Sequence, residues 1–192
     1  MKKTLLGGLV GGIILFVWSF LAWVILPLHT STLHPIPNED AVVSALQPAL
    51  PAKGVYPLRS NPGMSADKAT QDAWLAKMAQ GPTGLIIYDP GGVDPMMTGQ
   101  MSMGLLIDIL SALVVSWLLT RSTAFSAPYM SRVMFCGMFA IFATLFDYLT
   151  MWNWMGYPTD FTSALIVDAL IAWLLAGLGI AAIVKSTPAQ TA

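Results

Sequence analysis

The stretch LFDYLTMWNWMGYPTDFTSALIVDALIAWLLAGLGIAAIV, residues 145–184, decides the fold class of this chain. Apolar runs lie on both sides of a link, Trp152 to Phe161, that is rich in Trp, Tyr, Gly and Pro. With the residues that precede Leu145, each run is long enough to cross a bilayer, which takes about 20 residues of helix. The stretch therefore predicts a transmembrane helical hairpin.

Composition extends this conclusion to the whole chain of 192 residues. It is 56% hydrophobic and only 10% charged, whereas soluble domains carry about 25% charged residues. The net charge is −1, which excludes nucleic acid as an expected partner because phosphate binding requires clustered Lys and Arg. Cys136 is the one cysteine, so the chain has no intrachain disulfide and no multi-cysteine metal site. We expect an integral membrane protein with the lipid bilayer as its surroundings.

Four hydrophobic segments predict a membrane all-α fold with four transmembrane helices. The first helix occupies residues 1–27, and residues 101–192 hold the other three with short loops and a tail. Between them, residues 28–100 form an extramembrane α+β segment. The later spans are predicted at Met101–Leu119, about Met130–Met151 and Thr162–Val184.

The polar segment at 28–100 alternates helix and strand signals. A short helix capped by Asn38 and ending near Pro48 precedes the strand GVYPL. A helix from Ser65 to about Gln80 then precedes the strand GLIIYD and the turn PGGVDP. A segment this short provides only a marginal core by itself, so we expect it to rest on the membrane helices or on a partner.

Basic residues predict the orientation. The short segments at 1–4, 120–132 and 185–192 contain five basic residues and no acidic one, which is typical of the cytoplasmic side of a membrane. We therefore expect a multi-pass protein of the bacterial inner membrane with both termini in the cytoplasm. Residues 28–100 and the hairpin link are then periplasmic.

Three aspartates inside the spans are the strongest functional candidates. Asp108, Asp147 and Asp168 are each predicted near the periplasmic ends of their helices, in one layer. No Lys or Arg is predicted inside a span to neutralise them, and an ionised group in hydrocarbon is costly unless it is paired or hydrated. Three alternatives stay open: they pack while hydrogen-bonded to Ser, Thr or Trp groups, they bind a cation or protons, or they contact another subunit.

Two histidines follow the first helix, in LPLHTSTLHP. Together with the three aspartates, His29 and His34 have the chemistry to bind zinc, manganese or iron. Their spacing of five, with Pro35 following, is not a recognised ligand spacing. The sequence therefore offers these five residues as metal candidates and identifies no cofactor.

Small residues recur at a spacing of three or four on three of the predicted helices. This pattern allows two helix backbones to approach closely in a membrane. The candidates for helix packing are Gly7, Gly8, Gly11 and Gly12 in the first helix, Gly104 in the second, and Ala172 and Ala176 in the fourth.

The chain resembles a group of bacterial four-helix integral membrane proteins of unassigned function. The resemblance lies in MKKTLLGGLVGGIILFVWSF, IPNEDAVVSAL, GVYPL, GPTGLIIYDPGG and the closing hairpin from Met151 to Lys185. It covers most of the chain and implies four spans; it implies no activity, cofactor or mechanism.

No hydrolase, metalloprotease or nucleotide-binding motif occurs in the sequence, so we do not expect an enzyme. The small-residue helix faces and the marginal polar segment favour a non-catalytic accessory subunit of a larger inner-membrane complex, respiratory or photosynthetic, held by other membrane subunits. The alternative is a small-ion or metal-handling membrane protein that uses the intramembrane aspartates. An enzyme acting on lipid or quinone is the third reading.

The orientation is open to a direct test with reporter fusions. A reporter fused after Ala192 should be active only in the cytoplasm, and one inserted near Asn61 only in the periplasm. The reason is that loops rich in Lys and Arg stay on the cytoplasmic side of the membrane. The reverse pattern of activity would overturn the charge argument.

Overall fold

A computed structural model describes residues 1–186 of the chain. The described part is mostly helical and separates into two compact units. The first unit combines residues 1–34 with residues 96 onward and is a four-helix bundle. The second unit, residues 35–95, contains two helices and a two-stranded sheet.

The predicted elements occur in the predicted order, and one short helix that was not predicted, Pro27–Thr30, follows the first span. The helices are α1 (Lys2–Phe20), α2 (Pro27–Thr30), α3 (Glu39–Ala49), α4 (Lys68–Gln80), α5 (Thr98–Arg121), α6 (Tyr129–Ala143), α7 (Leu149–Met155) and α8 (Thr159–Ile183), and the strands are β1 (Gly54–Leu58) and β2 (Gly84–Tyr88). Two π-helical turns extend long helices: Leu21–Ile25 continues α1, and Thr144–Tyr148 joins α6 to α7.

Four of the described helices are long and apolar enough to cross a membrane. They are Lys2–Ile25, Thr98–Arg121, Tyr129–Met155 and Thr159–Ile183. This confirms the predicted number of candidate spans and fits a multi-pass membrane protein. The spans begin or end a few residues away from the predicted bounds, because polar residues such as Thr98 and Asp160 continue the terminal turns.

The predicted ten-residue hairpin link, Trp152 to Phe161, is wrong. The third span continues to Met155, and α8 starts at Thr159, so only Gly156–Pro158 is non-helical. Gly156 has φ 71° at the helix end, a left-handed conformation that terminates helices and suits glycine. The predicted link included Trp152, Asn153 and Trp154 because of their residue types, but these residues remain helical in the structure.

The expectation that no Lys or Arg lies inside a span is wrong, because the candidate spans include Lys2, Lys3, Arg121 and Arg132. Of these four residues, Arg132 is the buried one. It falls in the first turn of α6, because that helix begins at Tyr129, and it is buried. Its guanidinium donates through Nε to the carbonyl of Ala181 at 3.2 Å and through Nη1 to the carbonyl of Ala127. A cation at the C-terminal end of α8 satisfies carbonyls that have no partner within the helix.

The first helix lies between two others. α1 packs against α5 on one side and α8 on another, while α6 packs against α8. A Cβ added at Gly12 would lie 2.4 Å from Ile109 Cα, and one at Gly8 would lie 2.8 Å from Leu113 Cα. The backbones of α1 and α5 therefore approach as closely as glycine allows.

A second pair of glycines on α1 faces α8. A Cβ at Gly7 would lie 2.4 Å from Val184 Cγ2, and one at Gly11 would lie 2.7 Å from Ile180 Cγ1. On α8, Ala172 and Ala176 are buried in the core of the bundle. Each of these small residues lies at a helix contact.

Gly104 differs from the other small residues predicted to pack. A Cβ there would meet only Phe16, at 4.0 Å. The contact at Gly104 is therefore looser than those at the other glycines, and the position lines a groove beside Phe16.

The second unit is built around an antiparallel pair of strands. The register pairs Gly54 with Tyr88 and Leu58 with Gly84, on the segments predicted as strands. Helix α4 begins at Lys68, three residues after the predicted start, because Asp67 caps it by accepting a hydrogen bond from Thr70 N at 2.9 Å. The hydrogen bonds from Thr70 hold the pKa of Asp67 below its usual range.

The glycine contacts predict a difference between two Gly→Ala variants. Gly12→Ala should lower the free energy of unfolding by on the order of 1–3 kcal/mol, because its methyl group meets α5 backbone that cannot rotate away. Gly104→Ala is the matched control: its methyl group has space, so the free energy of unfolding should stay the same or rise by up to about 1 kcal/mol, because alanine favours a helix more than glycine does. Thermal unfolding in a non-ionic detergent measures both, and equal stability would show that α1 and α5 are not in close contact.

Candidate functional site

The side chain of Asp168 joins three separate elements of the bundle. Trp18 Nε1 on α1 donates to Oδ1 at 2.6 Å, and His29 Nε2 on α2 is 2.9 Å from Oδ2. Asp168 itself lies on α8 and is mostly shielded. Both carboxyl oxygens thus have a partner, as a carboxylate in a membrane helix requires.

Local backbone structure brings His29 to this position. The π-helical turn ends at Leu26, which is extended (φ −88°, ψ 149°) because Pro27 follows it. Pro27 starts the short helix α2, which turns His29 back onto the bundle. The imidazole stacks on the Trp23 indole with ring centroids 3.8 Å apart, and the residue is 0% exposed.

The hydrogen bonds of His29 indicate its tautomer. An ionised carboxylate only accepts hydrogen bonds, so Nε2 carries the proton directed at Asp168. Nδ1 is buried and has no hydrogen-bond partner within the described residues. A proton on Nδ1 would be a buried donor without an acceptor, whereas a proton on Nε2 has Asp168 as its acceptor.

A small open cleft lies beside Asp168 within the bundle. It has a volume of about 200 Å³ and contains two carboxyl groups, one from α5 and one from α8. The π-helical turn Thr144–Tyr148 contributes the phenol of Tyr148. The lining residues are Leu15, Ser19, Asp108, Ser111, Tyr148, Asp168, Ala169, Ala172 and Trp173.

Asp108 differs from Asp168 in having no partner. Its carboxyl makes no hydrogen bond or ion pair with another described residue. It also lines a second, larger groove of about 520 Å³ between α1 and α5. Asp108 thus lies where a polar cleft and an apolar groove meet.

The structure separates the five predicted metal candidates. His29 and Asp168 are paired, and Asp108 shares the cleft with Asp168. Asp147 is exposed and lines neither space, while His34 is 79% exposed and 3.9 Å from Asp160. Within residues 1–186, no group of three or more His, Cys, Asp and Glu side chains is arranged to hold a metal ion.

Sequence reasoning missed most partners of these acids. Trp18 and Trp23 both act at the Asp168 network, and Tyr148 lines the cleft. A usable signal was present, because an indole N–H inside a span needs an acceptor and few acceptors exist there. The Trp18 hydrogen bond fits the alternative in which an aspartate packs against Trp groups.

The network predicts different effects for two substitutions of Asp168. Asp168→Ala should lower the free energy of unfolding by on the order of 2–4 kcal/mol, because the Trp18 and His29 donors lose their acceptor. Asp168→Asn keeps one acceptor oxygen for Trp18 and should therefore lower the free energy of unfolding by less than Asp168→Ala does.

The matched control is Asp147→Ala, whose side chain is exposed and should have little effect. Thermal unfolding in detergent measures all three variants. Equal losses for Asp147→Ala and Asp168→Ala would contradict a structural role for the network.

No family model, curated protein or solved structure matches this chain. The function is therefore argued from the cleft, the groove and the second unit alone.

Proposed function

We propose that this protein is a non-catalytic accessory subunit of a larger membrane complex and that a neighbouring subunit covers its second unit. One observation carries the proposal: no residue from 35 to 95, all of them described, is buried. A unit of this size normally excludes water from several apolar side chains. A unit without a core gains the missing burial from a partner.

The sheet of the second unit has an exposed apolar face. The register places Val55 opposite Ile87 and Pro57 opposite Leu85, and alternate residues of a strand share a face. Val55 is 61% exposed and Ile87 is 79% exposed. We call these four residues the sheet face. An isolated two-stranded sheet is marginally stable in water, so covering the sheet face adds needed stability.

The opposite face is partly covered within the unit. Tyr56, Ile86 and Tyr88 are half-buried there.

At the end of the sheet, Lys53 Nζ lies 2.7 Å from Asp89 Oδ2. This pairing lowers the pKa of Asp89 and raises that of Lys53. Their charges therefore satisfy each other, which favours an apolar protein surface as the occupant of the sheet face.

The proposal includes a location. The basic residues near the termini and in the loop between the second and third spans favour an inner membrane with both termini cytoplasmic. The second unit then lies in the periplasm, where a respiratory or photosynthetic complex would present its own periplasmic surfaces. Accessory subunits of such complexes need packing surfaces and no reactive groups of their own.

A second candidate, ion or proton handling, is favoured by the two carboxyl groups in the cleft. Asp168 has both oxygens engaged by Trp18 and His29, so Asp108 alone is available for exchange. A single available carboxyl suits a proton better than a divalent ion, which takes several oxygen ligands. This candidate predicts a function without any partner.

The accessory-subunit proposal is tested by weakening the sheet face. The double variant Val55→Thr with Ile87→Thr keeps β-branched side chains and removes apolar contact. Purified from its native membrane in mild detergent, it should lose a stoichiometric partner subunit by at least about tenfold in recovery. The control, Val42→Thr with Val43→Thr, makes the same kind of substitution on α3, at side chains that are 38% and 43% exposed, and should retain the partner.

Native mass spectrometry of the same preparations identifies the partner and its stoichiometry. A wild-type protein that purifies alone, or equal partner recovery with both double variants, would overturn the proposal. A protein without partners whose pH-dependent behaviour is lost in Asp108→Asn would support the second candidate instead.

A further inference from the structure

We propose that the groove between α1 and α5 binds a lipophilic organic cation, with the cationic centre at Asp108. This goes beyond the accessory role and does not depend on it. Phe20 and Trp23 from α1 and Met101 from α5 form walls of the groove, and Asp108 provides the one acidic group among its lining residues. A carboxyl group without a partner, next to apolar walls, calls for a ligand that has both a positive charge and an apolar surface.

Charge is the first argument. The Asp108 carboxyl has no hydrogen-bond or ion-pair partner in the described part of the chain. None of the residues that line the groove is Lys, Arg or His. An ionised carboxyl in a membrane helix costs several kcal/mol unless it is neutralised. A cation that enters the groove would provide the missing charge.

The walls favour an organic cation with a large apolar body. Phe16, Phe20 and Trp23 present aromatic rings, and a cation within about 6 Å of a ring centroid is attracted to its face. Met97 and Met101 add flexible, polarisable side chains that adapt to different ligand shapes. The same walls would contribute dispersion and hydrophobic contact to the apolar part of the ligand.

The size of the groove fits a small organic molecule. Its volume of about 520 Å³ lies within the range of roughly 300–1,000 Å³ typical of ligand pockets. Gly104 helps to create this space, because the nearest atom that its Cβ would meet is Phe16 Cε2 at 4.0 Å. A longer side chain at Gly104 would extend into the groove without striking backbone.

Two other occupants fit the groove less well. An inorganic divalent cation needs several oxygen ligands, and the residues that line the groove include one carboxyl, with Gln100 and Ser19 as the other oxygen-bearing side chains. A hydrocarbon chain of a lipid would fill the apolar walls and leave Asp108 without a counter-charge. A ligand that joins positive charge to apolar surface satisfies both the carboxyl group and the apolar walls of the groove.

Tetraphenylphosphonium is a suitable probe, and triphenylphosphine oxide is its neutral analogue of similar shape. Isothermal titration calorimetry of the full-length protein in non-ionic detergent should show binding of the cation and much weaker binding of the neutral analogue. Quenching of Trp fluorescence gives a second signal, because Trp23 lines the groove.

Asp108→Asn should weaken binding of tetraphenylphosphonium by at least about tenfold, because it removes the charge and keeps the shape. Gly104→Leu should also prevent binding while leaving Asp108 intact, because the leucine occupies the groove. Asp147→Asn is the matched control, because it removes an acid that does not line the groove. This variant should bind tetraphenylphosphonium with the same affinity as the wild type.

Three results would overturn the proposal. They are an absence of measurable binding by the wild type, equal binding of the cation and its neutral analogue, and equal loss in Asp108→Asn and Asp147→Asn. The second result would identify the groove as a lipid-facing surface, and the third would indicate general attraction of cations to the protein. Thermal unfolding of each variant confirms that it is folded before binding is compared.

Discussion

The close approach of α1 to two neighbouring helices is the constraint on which the bundle depends. Gly8 and Gly12 lie against the α5 backbone, and Gly7 and Gly11 lie against side chains of α8. In a bilayer, helices gain little from hydrophobic association, so van der Waals contact at short range must hold them together. Two glycine faces on one helix allow α1 to make this contact with two partners at once.

Close packing also determines where polar groups can lie. With α1 held against α8, the indole of Trp18 reaches Asp168, and α2 places His29 on the other carboxyl oxygen. Further along the α1–α5 contact the glycines give way to Phe16 facing Gly104, and the groove opens. Asp108 lies at this opening, without a hydrogen-bond or ion-pair partner among residues 1–186. One acid is therefore a structural link between helices, while the other is available to a ligand.

The second unit follows a different principle. The bundle buries side chains from all four of its spans, whereas residues 35–95 form helices and a two-stranded sheet without burying any residue. Asp67 caps α4, Lys53 pairs with Asp89, and the strands pair in register. These are local interactions, each of modest strength, and they leave the sheet face uncovered. The unit therefore depends on surroundings more than the bundle does.

The sequence by itself determined most of the secondary structure and the number of candidate spans, because these depend on local properties; the short helix α2 and the true length of the hairpin link appeared only in the structure. Runs of apolar residues and the two strand patterns each act within a few positions of the chain. Asn38 occupies the N-cap position of α3 as predicted, although its side chain makes no capping hydrogen bond. The sequence also singled out Gly7, Gly8, Gly11 and Gly12 by their spacing, and the aspartates by their cost in hydrocarbon.

Only the tertiary structure decided which of these residues meet. Asp168 and Trp18 are 150 positions apart in sequence, and no local pattern pairs them. The three aspartates occupy similar depths by helix rise, yet rotation about each helix axis left Asp147 outside and turned Asp108 into the cleft. The position of an aspartate along its helix follows from counting residues. The direction in which its side chain points depends on how the helices pack, and packing is set by contacts between distant parts of the chain.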